Sequence, residues 1–234
     1  MSAIFRLVLR TQVTKGRAAA LAVVGVLGIL LGVAVGRSDP GSRFDAAYGF
    51  VGGYGLGLLV PVTALVFAAA ALGDPAEDGT LVYLWHRPIA RWRIVAASAG
   101  AAVCIALPFA VLPTVVAAAM TGEGRALIVG AAVSSMLAVA AYSSLFLCLG
   151  LVVRRALAWG LAYVLIWEGF VARSSTGPAR LSILVYARSL LASIADHDPP
   201  RLAASVPVSI AVPLVLGVAG LAATVWSLRR IDVR

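Results

Sequence analysis

Charge is almost entirely excluded from six stretches of this chain. Of its 19 Lys+Arg and 10 Asp+Glu, only Glu168 falls inside the intervals 18 to 36, 46 to 73, 94 to 122, 126 to 153, 156 to 172 and 202 to 228. A hydrocarbon core about 30 Å thick needs roughly 20 helical residues, so five intervals span it comfortably and 156 to 172 just reaches. Strands of a barrel would alternate polar and apolar positions, and these runs do not. With 62% hydrophobic residues and a mean hydropathy of +1.00, little is left for a soluble domain. The expected fold is an all-α membrane protein: one domain of six transmembrane helices over 18 to 234, preceded by a short helix over 1 to 17.

The net charge of +9 reads as topogenic arginines and not as a nucleic-acid surface. With both termini inside the cell membrane, the inner segments hold 12 of the 19 Lys+Arg, in line with the positive-inside rule. Arg154-Arg155 and Arg229-Arg230 each stand where an apolar run stops. The basic start and the small residues Ala34 and Gly36 imitate a signal peptide, but the first apolar run is long for one, which favours a retained anchor.

In 1 to 17, Ile4, Phe5, Val8 and Leu9 share a helical sector opposite Arg6 and Arg10, as in an amphipathic helix lying at the interface. Gly28, Gly32 and Gly36 in the first span, and Gly49, Gly53 and Gly57 in the second, repeat every fourth residue. Such stripes let helix backbones approach closely in lipid, so both are expected to be packing faces. Pro61, Pro108, Pro113, Pro207 and Pro213 predict kinks. Between spans five and six, 181 to 195 has Ser182, Ser189 and Ser193 on one helical face with apolar residues around the rest, which predicts a short helix lying in, or dipping into, the outer leaflet.

Several chemistries lack their residues. His86 and His197 both lie outside the spans, which removes the base for intramembrane serine hydrolysis, and one intramembrane carboxyl cannot form an aspartyl pair. Cys104 and Cys148 form no metal-binding or disulfide pattern. Lys15, the only lysine, sits in no phosphate-binding loop, so ATP hydrolysis has to come from a partner. No catalytic residue, metal site or cofactor is expected in the chain itself.

The inner segment 74 to 93 is too patterned for a connector. Asp74, Glu77 and Asp78 open it, Leu81, Leu84 and Trp85 follow at helical spacing, Arg87-Pro88 stops the helix, and Arg91 and Arg93 lead into span three. Tyr83 and Trp85 are costly in a cytosolic loop unless they meet a protein surface or the bilayer interface. The run Glu77-x-Gly79-Thr80-Leu81-x-Tyr83-Leu84-x-x-Arg87-Pro88-x-x-Arg91-x-x-Ile94 resembles the segment that joins spans two and three in ABC-2 type transporter permeases. The span count, the inner termini and the helical segment before span six resemble that family's type V exporter-like architecture as well.

The resemblance implies a coupling helix, with Glu77, Gly79, Thr80, Tyr83, Leu84, Arg87, Pro88 and Arg91 meeting a separate ABC ATPase that carries ATP and Mg. It also implies a second permease copy or a sister permease. The alternative is a non-transporting membrane scaffold or assembly factor that docks a cytosolic partner through the same loop. Glu168, about 18 Å from Ala156 at about 1.5 Å per residue, is expected to face protein and to link span five to the 181 to 195 helix, because a carboxylate at such depth needs a partner.

Overall fold

The computed structural model describes residues 12, 14–79, 90–171, 176–197 and 204–230. Every regular element among them is helical. α1 is Lys15–Gly36, α2 runs unbroken over Arg43–Glu77, α3 is Arg91–Met120 and α4 is Arg125–Val152. α5 starts as Ala156–Ala162 and continues as the π-helical Tyr163–Val171. One turn, α6 (Thr176–Ala179), precedes α7 (Ile183–Ala195), and α8 is Val206–Arg230. A second π-helical stretch, Val51–Leu59, lies within α2.

Five helices, α1, α2, α3, α4 and α8, are long and apolar enough to cross a membrane, the pattern of a multi-pass membrane protein. α5 and α7 fall short individually. α5 extends to Val171, about 24 Å from its start at 1.5 Å per residue, close to the bounds 156 to 172 expected for a run that only just reaches. α1 begins at Lys15, with the Thr14 hydroxyl accepting the Arg17 amide as its cap, so the expected 1 to 17 helix gives up its last residues to α1. Residues 1–11 and 13 lie outside the described residues.

Two bands of charge close the bundle. At one end Arg17 reaches Asp74 with its two guanidinium nitrogens at 2.9 and 3.4 Å, tying the first turn of α1 to the last turns of α2. Arg91, Arg93, Arg154, Arg155, Arg229 and Arg230 cap helix ends that alternation puts there too. At the other end Arg43 approaches Glu123 at 3.8 Å and His197 approaches Asp45 at 3.8 Å, joining three connections. The His197 ring also lies 4.1 Å from Tyr48 and 5.4 Å from Phe44, centroid to centroid. Between the bands α2 and α4 form the buried centre, with Leu65, Phe67, Tyr142 and Phe146 fully enclosed.

Glycine sets how closely these helices meet. A Cβ on Gly32 would lie 2.6 Å from the Ala117 carbonyl oxygen, and one on Gly36 2.5 Å from that of Met120, so α1 lies backbone against backbone on α3. Gly28 makes room for the Tyr54 ring, whose hydroxyl donates to the Val24 carbonyl at 2.5 Å. Gly150 of α4 sits directly on the Ala69 backbone of α2.

The second stripe behaves differently. Added Cβ atoms on Gly49 and Gly53 meet nothing within 4 Å, and Gly57 has only ordinary contacts. These three positions straddle the π-helical stretch, where hydrogen bonding from i to i+5 widens the turn, so a four-residue spacing no longer follows one face. Gly55 makes the close contact instead, against Thr114, while Gly52 and Gly57 both lie at ordinary distance from Arg188. Pro108 and Pro113 sit inside α3 without ending it, and Pro113 is the surface met by Gly25.

The two stripes therefore separate under substitution. Gly32→Leu forces α1 away from α3 and should destabilise the chain by about 1 to 3 kcal/mol, the usual range for overpacking, whereas Gly53→Leu should leave the isolated chain near wild type. Thermal unfolding in detergent, followed by size-exclusion chromatography, measures both.

Candidate functional site

Glu168 is the one carboxylate inside an apolar interval, and it is 1% exposed. Its oxygens are met by four donors. Tyr142 of α4 donates its hydroxyl to Oε1 at 2.9 Å and Tyr163 of α5 to the same oxygen at 3.2 Å, while the Ile183 amide adds a third bond there at 3.2 Å. The Ser182 hydroxyl donates to Oε2.

Each donor has a structural reason to be there. In an α-helix five residues advance about 500°, which would leave Tyr163 and Glu168 roughly 140° apart. The π-helical turn, with its i to i+5 period, brings them to one side. Ser182 is the N-cap of α7: its hydroxyl oxygen accepts the Val185 amide at 3.2 Å while its proton goes to Glu168. The carboxylate therefore sits at the amino end of a 13-residue helix, bonding a first-turn N–H and facing the positive end of the helix dipole. Desolvation of a carboxylate is costly, and charge-assisted bonds of this kind are among those strong enough to offset it.

α7 itself is enclosed. Ile183, Leu184, Tyr186, Ala187, Leu190, Leu191 and Ala195 are buried, and a Cβ on Gly130 of α4 would touch Leu191 and Ile194. α7 thus runs antiparallel to α4, from Tyr142 toward Gly130, inside the bundle and not flat on its surface. Its polar residues are satisfied within the protein, Ser189 by the Val185 carbonyl and Arg188 by the Gly52 carbonyl, which permits that placement. Of the serine stripe, Ser182 and Ser189 are buried and Ser193 is exposed.

Arg188 binds α7 to the π-helical stretch of α2, its Nε donating to the Gly52 carbonyl at 2.8 Å, while its own carbonyl accepts the Tyr48 hydroxyl at 3.3 Å. The two π-helical stretches also pack against one another.

The inner loop is described only at its edges. Glu77 ends α2 and is exposed; Gly79 is exposed in a turn with φ +67°, a conformation that favours glycine; Arg91 opens α3 and is exposed. Thr80, Tyr83, Leu84, Arg87 and Pro88 lie outside the described residues. Among the described residues no group of three His, Cys, Asp or Glu is arranged to hold a metal ion.

Sequence reasoning pointed to Glu168 and the serine face but passed over Tyr142, Tyr163 and Arg188. The available signal was the phenol itself: a tyrosine within an apolar span needs a partner for its hydroxyl, and Glu168 was the one anion on offer there. No protein-family model, curated protein or solved structure matches the chain at a significant level.

Glu168→Leu strands three hydroxyls and an amide in a dry site, at about 1 to 3 kcal/mol for each group left unpaired, and should lower the melting temperature sharply or abolish recovery of folded protein. Glu168→Gln keeps acceptor capacity on one oxygen and should fall between Leu and wild type. Melting curves of the three proteins in one detergent check the order.

Proposed function

We propose that this chain is the membrane-spanning permease subunit of an ATP-binding cassette exporter in the cell membrane, driven by a separate ATPase that docks on the 74 to 93 loop. The observation that carries the reading is the Glu77 to Ile94 motif, which resembles the coupling segment of ABC-2 permeases, together with its position between the two long helices α2 and α3. Force applied to that loop enters α2 at Glu77 and α3 at Arg91. α2 carries it past the Arg17–Asp74 pair to the π-helical stretch held by Arg188. Rigid-body tilting of two such rods is a known way of switching access between faces.

In this reading both termini and the Arg17–Asp74 band are cytosolic. The sixth crossing is then composite: α5 rises from the inner band as far as Val171, and α7, which starts beside Glu168, completes the passage to the outer band. Half-helices that meet at mid-depth, with an anion at a helix amino end, suit a transport protein because backbone groups freed by the break are satisfied within the protein. Two copies, or this chain and a sister permease, would stand over two ATPases.

Reconstitution with the cognate ATPase tests the proposal. ATP turnover should rise when the chain is added, and Glu77→Ala, Tyr83→Ala and Arg87→Ala should each weaken co-purification and uncouple turnover while leaving the melting temperature unchanged. Wild-type turnover and recovery in all three, or a chain that affects no ATPase, would leave the loop as the dock of a non-transporting scaffold.

A further inference from the structure

The break in the composite crossing sets an arginine where hydrocarbon tails alone cannot be its neighbours. Ser182 and Ile183 are bonded to Glu168, which lies twelve residues, about 18 Å, from Ala156 at the inner band. From the same point α7 climbs 13 residues, about 20 Å at 1.5 Å per residue, to Asp196 and His197 in the outer band. Ser182 is therefore close to mid-depth. Arg180 is two residues away, within about 7 Å of extended chain, and its carbonyl is held there by the Tyr186 hydroxyl at 2.9 Å.

Arg180 is exposed and, among the described residues, no carboxylate lies within ion-pair distance of it. Its side chain, some 6 to 7 Å long, cannot reach either band. An arginine at the centre of a bilayer costs from about 2.5 kcal/mol upward unless water or an anion meets it. Non-helical backbone at that depth carries the same requirement.

The sequence limits what can answer that charge. Its ten acidic residues are Asp39, Asp45, Asp74, Glu77, Asp78, Glu123, Glu168, Asp196, Asp198 and Asp232. Among the described residues all but Glu168 lie in connections or at helix ends, Asp198 and Asp232 fall outside the apolar intervals of the sequence, and Glu168 is enclosed by its four donors. A second copy of this chain thus has no free carboxylate to offer at mid-depth. Arg188, higher on α7, adds positive charge and is bonded to the Gly52 carbonyl. Leu181 next to Arg180, and Ile166 and Phe170 two residues either side of Glu168 on α5, are exposed apolar groups.

We propose that Arg180 marks a binding site for an amphiphile with an anionic, phosphate-bearing head, the head on the guanidinium and the apolar tail along Ile166, Phe170 and Leu181. The planar fork of arginine fits phosphate oxygens in pairs, which selects this chemistry over a simple halide. The assignment rests on the permease reading only in making the ligand a transported substrate; binding itself requires no ATPase.

Native mass spectrometry of the purified full chain with added phosphatidylglycerol, phosphatidylcholine or inorganic phosphate is the test. Wild type should retain phosphatidylglycerol over phosphatidylcholine, and Arg180→Gln should lose that preference by about tenfold, equivalent to about 1.4 kcal/mol, at an unchanged melting temperature. Arg180→Lys, which keeps the charge without the fork, should recover part of it. Displacement of the lipid by excess inorganic phosphate would show that the head alone is read, and failure to displace it would show that the tail contributes; either outcome supports the site. Equal retention of both lipids by wild type, or an equal loss in Arg155→Gln at the inner band, would overturn it. Binding without any effect of the chain on an ATPase would sink the permease reading and leave the site standing.

Discussion

A charged group carried into hydrocarbon must bring its partners with it, and the middle of this protein is arranged around that demand. Glu168 draws one donor from α4, one from its own helix and two from the start of α7. Three features follow from satisfying one carboxylate. The π-helical turn aligns Tyr163 with it, Ser182 caps α7 while bonding it, and α7 starts in the interior because its amino end has an anion to rest on. Without the carboxylate, the first amides of α7 would need water that the interior does not hold.

Around that centre, packing depends on small residues. α1 touches α3 through glycine, and α2 touches α4 at Gly73, Ala69 and Gly150 with almost no side chain between them. Helices this close gain dispersion contacts and weak backbone interactions in a medium that supplies no hydrophobic drive of its own. The cost is intolerance: at Gly150 even a methyl group would collide with the Ala69 backbone. Where larger groups intrude, as Tyr54 does over Gly28 and Arg188 against Gly52, each is fixed by a hydrogen bond to a helix carbonyl.

The apolar intervals, read from charge alone, located all five long helices to within a few residues, because burial in lipid is a composition effect that needs no knowledge of neighbours. The interval 156 to 172 likewise matches the helix Ala156–Val171, but composition gave no sign of its π-helical second half. The stripe at Gly28, Gly32 and Gly36 was legible since α1 keeps an α-helical period, and the stripe at Gly49, Gly53 and Gly57 was not, since no residue pattern announced the wider turn. Glu168 stood out as the lone charge in a span. Its tyrosine partners did not, as Tyr142 lies 26 positions away and Tyr163 pairs with it only through the π-helical turn.

The bonding of α5 to the start of α7 through Glu168 also orders events at the ribosome. α5 leaves the ribosome ahead of Ser182 and Ile183, with its carboxylate still lacking two of its four donors, so it cannot settle in the bilayer core on its own account. Tyr142 is by then already in place, and α4 can shelter the carboxylate until α7 emerges and closes over it. Insertion of the second half of this protein is therefore a cooperative step, in which α5, α7 and the preassembled α4 enter the membrane interior as one unit.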